Sequence, residues 1–420
     1  MTDRRIVITG IGTINPVGRD VPDFWENLAK GKSGIVNLCS IYPILSDYSV
    51  KIGGYFHLPE NARDYFGRYG KWLKRLDEFI AYMQIAGAQA MQDSGLDMAK
   101  EDPFRVGSLL GSGEGGLNSH ERNQSYLQNQ GVSAISPLYV LNVIPNSGTG
   151  FFAQSYGLRG PNFAPVSACA TSNHSIGLSC MMIETGMADV MFAGGSEASL
   201  NPSGIGAFGN LGALTIQYSD QPELASRPFD AKRSGFVMSN GAGAMCLEEL
   251  EHAKKRGAKI YAEVSGYSFS ADAHDLVAPH PEGISTSYTM KKAMEKARLA
   301  PSQISLINAH GTSTTLGDLA ESIAIHKAFG PSAESVAVHS TKSMTGHTIG
   351  ASGAIEAIAA LLSMEKGIVH PSINCDEQDP EIRLNIVKET REDLAIEHIM
   401  SNNFGFGGQN AVVILSRFQS

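Results

Sequence analysis

The segment SACATSNHSIG occupies residues 167–177, and a similar segment, STKSMTGHTIG, occupies residues 340–350. Aligned without a gap, the two share Ser, His, Ile and Gly at the same places. Each follows a strand-like run and opens a helix-like one, and Cys169 stands third in the first segment. A unit that recurs in this way indicates a duplicated fold.

Two further matches extend the repeat outward. AMQDSGL from Ala90 precedes the strand-like RVGSLLGSG, and AMEKARL from Ala293 precedes ISLINAHG. The opening IVITGIG corresponds to IYAEVSGYS from Ile260. Strand-like and helix-like segments alternate throughout, which is typical of α/β proteins. We predict two α/β halves, 1–255 and 256–420, joined through the helix-like LEELEHAKKRGA, with the two opening segments forming opposite walls of one cleft.

Composition excludes several classes of protein. A formal net charge of −9 argues against general nucleic-acid binding. The sequence contains no run of 18 apolar residues, so we expect no membrane span. The first residues are typical of a strand rather than of a signal peptide. The five cysteines show no paired spacing, so we expect a reduced, cytoplasmic chain.

Three residues are candidates for chemistry. Cys169 precedes a predicted helix, whose N-terminal dipole would stabilise a thiolate, an acyl acceptor. The alternative is that it is a small buried hydrophobic residue. His310, in NAHGTST, and His347, in KSMTGHTIG, could donate hydrogen bonds to a developing oxyanion, or each could be an ordinary core histidine. The duplication favours the catalytic interpretation, because all three would lie after strands at similar ends of the halves.

Two other features could support that chemistry. Lys342 and Glu356 would lie on one predicted helix around His347, where a buried pair could orient a histidine, although a lysine at a strand end is usually solvated. The segment SNNFGFGGQN, residues 401–410, has glycines that permit close backbone approach. In it, Phe404 and Phe406 could gate a tunnel, or the segment could be a simple turn before the final strand.

Other motifs are weaker. No His, Cys or Asp set has the spacing of a zinc site. GSGEGG at 111–116 lacks the GK[ST] of a phosphate loop and the dinucleotide fingerprint. Lys71, Lys74 and Arg75 form a basic cluster on a predicted helix, which is a solvated face unless an acidic partner binds there.

Five segments together make nearly the whole chain resemble the β-ketoacyl-acyl-carrier-protein synthases that elongate fatty acyl chains. They are residues 167–177, 227–267, 308–321, 340–358 and 402–410. The resemblance implies a thiolase-like fold, in which two duplicated α/β halves form five αβαβα layers. It also implies a homodimer, with a heterodimer as the alternative, and an acyl carrier protein that brings its own phosphopantetheine. No cofactor, nucleic acid or membrane is expected.

The resemblance also assigns roles by residue. It implies a triad of Cys169, His310 and His347, in which the cysteine holds the acyl group and the histidines stabilise the enolate of malonyl-carrier protein. The further implied roles are oxyanion binding by the amides of Cys169 and Phe406, gating by Phe406, support from Lys342, Glu356, Glu321 and Phe404, pantetheine contact by Thr312 and Thr314, and carrier docking by Lys71, Lys74 and Arg75. Some relatives hold a monovalent cation at positions that match Asn308, Glu356, Ser401 and Asn402.

The chain departs from the family pattern in places. TIQYSD, residues 215–220, lacks an arginine that relatives often carry there. Glu114 stands where relatives place an apolar or small residue at the acyl pocket, so we expect a shorter or more polar pocket, or a polar or conjugated chain. Alternatively, its side chain turns away to a backbone or basic group.

Three other functions remain as alternatives. A ketosynthase of a polyketide or polyene pathway would share the chemistry and differ in substrate. A non-catalytic chain-length-factor-like subunit would lack the nucleophile, which is present here. A thiolase would need a second cysteine near the C-terminal glycine-rich motif, and none is there.

Overall fold

Ten strands join edge to edge through the centre of the molecule in the computed structural model, which describes residues 4–419. The strands are β1 (Ile6–Ile14), β2 (Ile35–Asn37), β3 (Ile52–Gly54), β4 (Val106–Gly111), β5 (Val190–Glu197), β6 (Gly241–Glu249), β7 (Ala262–Ala271), β8 (Leu306–Asn308), β9 (Ala337–His339), β10 (Asn385–Ile386), β11 (His398–Gly405) and β12 (Gln409–Ser416). The helices are α1 (Val21–Ala29), α2 (Glu78–Ser94), α3 (Leu117–Gln130), α4 (Tyr139–Val143), α5 (Ser147–Tyr156), α6 (Thr171–Glu184), α7 (Pro202–Asn210), α8 (Leu250–Lys255), α9 (Ile284–Ala297), α10 (Thr315–Phe329), α11 (Lys342–Thr345) and α12 (Ser352–Lys366). Strands β2 and β3 form a separate small sheet.

The order of the strands repeats. The N-terminal part of the sheet runs β4-β5-β6-β1, and the C-terminal part runs β8-β11-β12-β7. In each run the first pair is parallel and the next two pairs are antiparallel. The runs meet where β1 and β7 pair antiparallel at two positions. The predicted duplication is confirmed, and we propose 255/256, between α8 and β7, as the boundary of the halves.

Five layers result from the way the helices cover the two runs. Helices α6 and α12 lie in the middle layer, since each contacts strands of both halves. Helix α2 covers the outer side of the N-terminal strands, and α9 covers the outer side of the C-terminal ones. This αβαβα arrangement is the predicted thiolase-like fold.

The local sequence explains the tight packing of α2 on β1. A Cβ on Gly10 or Gly12 would lie within 2.4 Å of a backbone oxygen of α2, so only glycine allows this approach. Helix α2 is buried on nearly every side, as its FIAYMQIAGAQAM sequence predicts. It begins after Asp77, whose carboxylate accepts the Phe79 amide, and it ends at left-handed Gly95.

The repeat of the opening segments is in a different register from the one that the sequence predicts. Single-turn helices at Ala168–Ala170 and Ile349–Ala351 lead into α6 and α12 respectively, so Cys169 corresponds to Gly350 and not to Lys342. Ala168 (φ 47°) and Ile349 (φ 45°) share the same unusual backbone angle. The gapless alignment was therefore wrong: it pairs Cys169 with Lys342, which is eight residues before its structural equivalent, Gly350.

Other local predictions also differ from the structure. The segment before Cys169 is not a strand, because it makes only one isolated bridge, from Asn162 to Ser108 at the sheet edge. Lys342 and Glu356 lie on different helices, which a turn at Gly346 separates. Strand β6 takes the first three residues of LEELEHAKKRGA and leaves α8 short, while most of SNNFGFGGQN is in β11 and β12. The basic cluster lies on and just after a 3₁₀ segment, Asp64–Lys74, rather than on an α-helix.

A pair of histidines lies buried and stacked behind α11. The rings of His339 and His370 are 4.0 Å apart at an angle of 28°. His370 Nε2 lies 3.0 Å from the hydroxyl of Thr341, and His339 Nε2 has no hydrogen-bond partner. Burial lowers the pKa of His370 to about 4 and that of His339 well below its usual value. Both rings are therefore neutral at pH 7.

This pair predicts loss of stability in acid. Between pH 6.5 and 4, His370 is protonated in the unfolded chain and neutral in the native chain. Because the unfolded state binds more protons, the free energy of unfolding decreases as the pH is lowered. At about 1.4 kcal/mol per pH unit, His370 contributes a loss of about 2 kcal/mol at pH 5. Urea unfolding at pH 7.5 and 5.0 measures it: His370→Gln should lose less stability between the two pH values than the wild type. His120→Gln, at an exposed site, is the control; equal losses in His370→Gln and wild type would contradict the assignment.

No helix within residues 4–419 is both long enough and apolar enough to cross a membrane.

Candidate active site

The turn before α6 presents Cys169 to the C-terminal half. Its sulfur lies 3.0 Å from Nε2 of His347. The ligand atoms of Cys169, His310 and His347 all lie within 4.8 Å of one another. The two halves thus bring together the three residues that the sequence predicts, and both walls of the predicted cleft contribute.

His347 lies in the loop between α11 and α12, with its other ring nitrogen held by a hydroxyl. Nδ1 is 2.9 Å from Ser352 Oγ, which in turn is 3.1 Å from Thr348 Oγ1. A hydroxyl can donate or accept, so this contact permits either tautomer. His347 can therefore present a lone pair to the thiol in one step and an N–H group in another.

His310 follows β8 and has a different environment. Its Nδ1 lies 3.4 Å from Lys342 Nζ and 3.5 Å from the amide nitrogen of Asn403. Both groups donate and neither can accept, so Nδ1 must carry the lone pair and Nε2 the proton. His310 is thereby fixed as an N–H donor.

Lys342 is held in place by acidic and amide groups. Its side chain is 1% exposed and pairs with Glu356. Asn403 donates to the second oxygen of Glu356 at 2.9 Å. On the other side, both oxygens of Glu321 accept the amides of His310 and Gly311, at 2.9 and 2.8 Å. Lys342 therefore contacts the ring of His310, and Glu321 holds its backbone.

The side chains of Cys169, His310 and His347 are uncharged at pH 7 before substrate binds. Burial raises the pKa of the Cys169 thiol to about 12, against the opposing effect of Lys342. Burial and Lys342 together lower the pKa of His310 and that of His347 well below the ordinary value. Helix α6 does begin two residues after Cys169, but the effect of burial on the pKa outweighs that of the helix end. The expected thiolate in the resting enzyme is therefore not supported. The thiol must instead lose its proton during acyl transfer.

The end of β11 lies beside the sulfur and the amide of Cys169. The amide of Phe406 donates a hydrogen bond to the Cys169 sulfur. A Cβ on Gly405 would lie 3.0 Å from the Cys169 amide nitrogen, so glycine leaves that amide open. The amides of Phe406 and Cys169 therefore both lie close to the sulfur. The following turn is tied to a neighbouring loop by a 2.8 Å bond from Gly407 N–H to the Leu276 carbonyl.

A cavity of about 360 Å³ leads from the surface to the three catalytic candidates. Thr312 and Thr314 line it, and their hydroxyls lie 2.9 Å apart. Phe404 packs its ring edge against His310, while Phe406 stacks on Phe208. The threonines thus line the cavity, and Phe406 lies between the cavity and an apolar cluster.

Unpaired oxygen atoms lie behind the site, at three of the positions that the resemblance gives for a monovalent cation. Asn308 Oδ1, Ser401 Oγ and Asn402 Oδ1 are buried and have no hydrogen-bond partner. Ser401 and Asn308 are paired across β11 and β8. Oxygen ligands suit a hard cation, so the donor set fits.

Glu114 lies beside a second buried carboxyl. Its side chain bonds to Ser199, and its amide nitrogen lies 3.3 Å from Glu197 Oε1. Burial raises the pKa of Glu114, and burial together with the charge of Glu114 raises the pKa of Glu197 to about 8. The side chain thus bonds to a hydroxyl and lies near a carboxyl, whereas the alternative was a backbone or basic group.

The structure does not bring the basic cluster to the cavity. Lys71, Lys74 and Arg75 are exposed and do not line it. Trp72, in the same segment, packs against Phe151 of α5.

Sequence reasoning missed Ser352, Asn403 and Glu197. Ser352 could have been found from its spacing of five after His347, and Asn403 from its place in NNFG. Glu197 ends the strand-like VMFAGGSE, and a carboxylate after a run that is apolar except for Ser196 was the available signal. Its oxygens accept bonds from Ser112 Oγ and the amides of Gly113, Glu114 and Gly350.

Family models cover most of the chain. Residues 3–253 match the model described as "Beta-ketoacyl synthase, N-terminal domain", and residues 261–376 match "Beta-ketoacyl synthase, C-terminal domain". Among curated proteins, the chain is similar to the 3-oxoacyl-[acyl-carrier-protein] synthase 2 of Staphylococcus aureus and of Vibrio harveyi. Each is 41% identical over 418 residues, covering 99–100% of this chain and 99% of the relative.

Solved structures show the same similarity. A β-ketoacyl synthase from Burkholderia phymatum has a TM-score of 0.89 at 31% identity, covering 99% of this chain and 100% of that one. A type II polyketide ketosynthase, solved in complex with its acyl-carrier protein, has a TM-score of 0.89 at 30% identity, with full coverage of both chains.

Proposed function

The chain belongs to the β-ketoacyl synthase family, and from this premise we propose that it condenses malonyl-acyl-carrier protein with an acyl group held on Cys169. The product is a β-ketoacyl-carrier protein two carbons longer, as in fatty acid chain elongation. The observation that carries the proposal is the 3.0 Å contact between Cys169 Sγ and His347 Nε2, with His310 beside both.

The first half-reaction transfers the acyl group. The Cys169 sulfur attacks the thioester of the acyl-carrier protein, and His347 Nε2 is placed to accept the thiol proton. The tetrahedral oxyanion is stabilised by the amides of Cys169 and Phe406, which matches the opening beside Gly405. The carrier thiol leaves with a proton, so Cys169 holds the acyl group as a thioester.

The second half-reaction forms the carbon–carbon bond. The malonyl group loses carbon dioxide, and the enolate oxygen receives hydrogen bonds from His310 Nε2–H and from His347. The enolate carbon attacks the acyl carbonyl, and Cys169 leaves as a thiolate. The thiolate takes up the one proton that the reaction consumes, because the malonyl carboxylate has left as neutral carbon dioxide. Because loss of carbon dioxide drives this step, the reaction needs no nucleotide or redox cofactor.

The cation, where present, supports the site rather than the chemistry. Asn308, Ser401 and Asn402 would hold it, near Glu356. The buried carboxyls Glu356 and Glu321 face one buried ammonium, Lys342, so a monovalent positive charge would offset the remaining negative charge.

Fatty acid elongation is favoured over a polyketide pathway. The curated relatives at 41% identity are 3-oxoacyl-carrier-protein synthases, whereas the polyketide ketosynthase is 30% identical.

All five cysteines are free, in keeping with a cytoplasmic location.

We assign the apolar face around α4 to a dimer contact. Val132 and Val140 are 74% and 66% exposed, and Leu141, also in α4, is 54% exposed. Exposed apolar groups on this scale mark an interaction surface. A second copy of the chain is the expected partner.

Carrier docking on the basic cluster gives a charge-dependent prediction. Lys74→Glu with Arg75→Glu should raise KM for carrier-linked substrates severalfold and leave small thioester analogues unaffected, because the acidic carrier would be repelled. The effect should shrink as salt rises, since exposed charges are screened. Lys254→Glu with Lys255→Glu, an exposed pair on α8, is the matched control. Equal losses with both kinds of substrate would contradict docking at the cluster.

The function is tested by incubating the protein with an acyl-carrier protein and malonyl-carrier protein, with mass spectrometry of the carrier products. The proposal expects a β-ketoacyl product two carbons longer and release of carbon dioxide. Acyl transfer without any elongated product would reject the proposed condensation.

A further inference from the structure

The turn that carries Cys169 is held by a histidine that has no part in the mechanism above. His174 is the fourth residue of α6, and its Nδ1 lies 2.9 Å from Ser167 Oγ and 3.1 Å from the carbonyl oxygen of Ala170. A carbonyl oxygen can only accept, so Nδ1 carries the proton. The ring packs on Phe269 of β7, with 4.6 Å between the ring centroids. One N–H group, held by a strand of the C-terminal half, therefore reaches the chain on both sides of the nucleophile.

The backbone of this turn is one that needs to be held. Ala168 has a φ of 47°, which a residue with a side chain adopts only where the surrounding contacts determine it. The amide of Ser167 donates to Thr171 Oγ1 at 2.9 Å, and the carbonyl of Ser167 accepts the amide of Ala170 at 3.0 Å. Ser167 is thus tied at its amide, its carbonyl and its hydroxyl, and the tie at the hydroxyl is the bond to His174.

The equivalent turn of the C-terminal half is built without a histidine. Because α6 and α12 follow their single-turn helices in the same register, Ser167 corresponds to Thr348 and His174 to Ile355. Ile349 has a φ of 45°, so the backbone of this turn is the same. Ile355 is buried in an apolar cluster and has no polar group. The chain therefore forms the turn without a histidine, and it has the histidine in the half that carries the nucleophile.

The segment that His174 holds contains the amide assigned to the oxyanion. A Cβ on Gly405 would lie 2.9 Å from the carbonyl oxygen of Ser167 and 3.0 Å from the amide nitrogen of Cys169. The peptide units on both sides of Ala168 therefore lie directly against the end of β11. A rotation of these units would move the sulfur and the amide of Cys169 together, and small displacements of reacting groups are costly in rate.

We propose that His174 is a positioning residue, which fixes the direction of the sulfur and the amide of Cys169 through its hydrogen bond to Ser167. The inference rests on the proposed function, because it needs Cys169 to accept an acyl group. His174 acts through Ser167 and does not line the cavity, so binding of the carrier substrates does not depend on it. A side chain that offers an N–H group at the place of Nδ1 can replace it, as the amide of asparagine does, whereas isoleucine cannot.

The test measures single-turnover acylation of Cys169 by acyl-carrier protein, together with kcat and KM for condensation. His174→Ile installs the residue that the other half uses, and it should lower acylation and kcat by about 10- to 100-fold. KM for both carrier substrates should stay within about twofold, because the change removes no contact to them. His174→Asn should restore both rates to within about threefold of the wild type. His326→Ile, at a half-buried position on α10 away from the cavity, is the matched control and should behave as the wild type.

Ser167→Ala tests whether the effect passes through the proposed bond. It should lower both rates, and adding His174→Ile should cause little further loss, because both changes break one interaction. Wild-type rates in His174→Ile, equal losses in His174→Ile and His174→Asn, or losses that multiply in the double variant would each overturn the role of His174. If His174→Ile lacks a cooperative thermal transition, the contrast between a slow Ser167→Ala and a fast His174→Asn decides. Absence of condensation by the wild type would instead reject the proposed function.

Discussion

Cys169→Ala should abolish condensation, with the rate falling to the detection limit. The acyl group needs a covalent carrier between the two half-reactions, and Cys180, Cys246 and Cys375 are buried away from the cavity lining. Alanine removes the sulfur and leaves the amide in place, so binding of carrier substrates should persist. The measurement is the elongated product by mass spectrometry, together with intact-protein mass after exposure to acyl-carrier protein alone.

The wild type should gain one acyl mass on Cys169, located by peptide mapping, and Cys169→Ala should gain none. Cys180→Ala, on α6 behind the nucleophile, is the matched control and should retain the adduct. An adduct on any other cysteine in the wild type would refute the assignment of the nucleophile.

His310→Ala and His347→Ala should each lower the rate of malonyl decarboxylation by about 10²- to 10³-fold, the usual scale for losing one oxyanion donor. The two should differ in the first half-reaction. His347 contacts the thiol, so its loss should also slow acylation of Cys169. His310 is fixed as a donor by Lys342 and Asn403, with no contact to the sulfur, so its loss should leave acylation largely intact.

Single-turnover acylation and carbon dioxide release, measured separately, distinguish the two roles. His398→Ala, at the far end of β11, is the control and should behave as the wild type in both. Near-normal decarboxylation by either active-site variant would contradict the role given to that histidine.

The sequence predicts the central features of this molecule because they depend on spacing and repetition. Strand β1, helix α2 and strand β12 follow from apolar runs whose period is clear. Cys169, His310 and His347 follow from their places after strands in two similar halves. Strand pairing through the sheet then sets their distances, which the sequence alone does not give.

Other features depend on what surrounds a residue rather than on its neighbours in the chain. The pKa of Cys169 rises because tertiary packing excludes water, an effect that outweighs the local helix end. Ala168 and Ile349 share a backbone angle but not a residue type. The alignment of identical residues therefore gave the wrong register. The environment of Glu114 required the position of Glu197, which is 83 residues away.

The equivalent strands β5 and β11 end in different residues, and this difference sets the number of active sites in each chain. Glu197 and Gly405 are the last residues of these two eight-residue strands, and they face equivalent turns. The carboxylate of Glu197 caps the amide of Gly350, while Gly405 leaves the equivalent amide of Cys169 open. The same turn is therefore closed by an internal hydrogen bond in one half and open beside the nucleophile in the other. Each polypeptide therefore has a single reaction centre, and an assembly of two chains should bind two acyl groups at saturation rather than four.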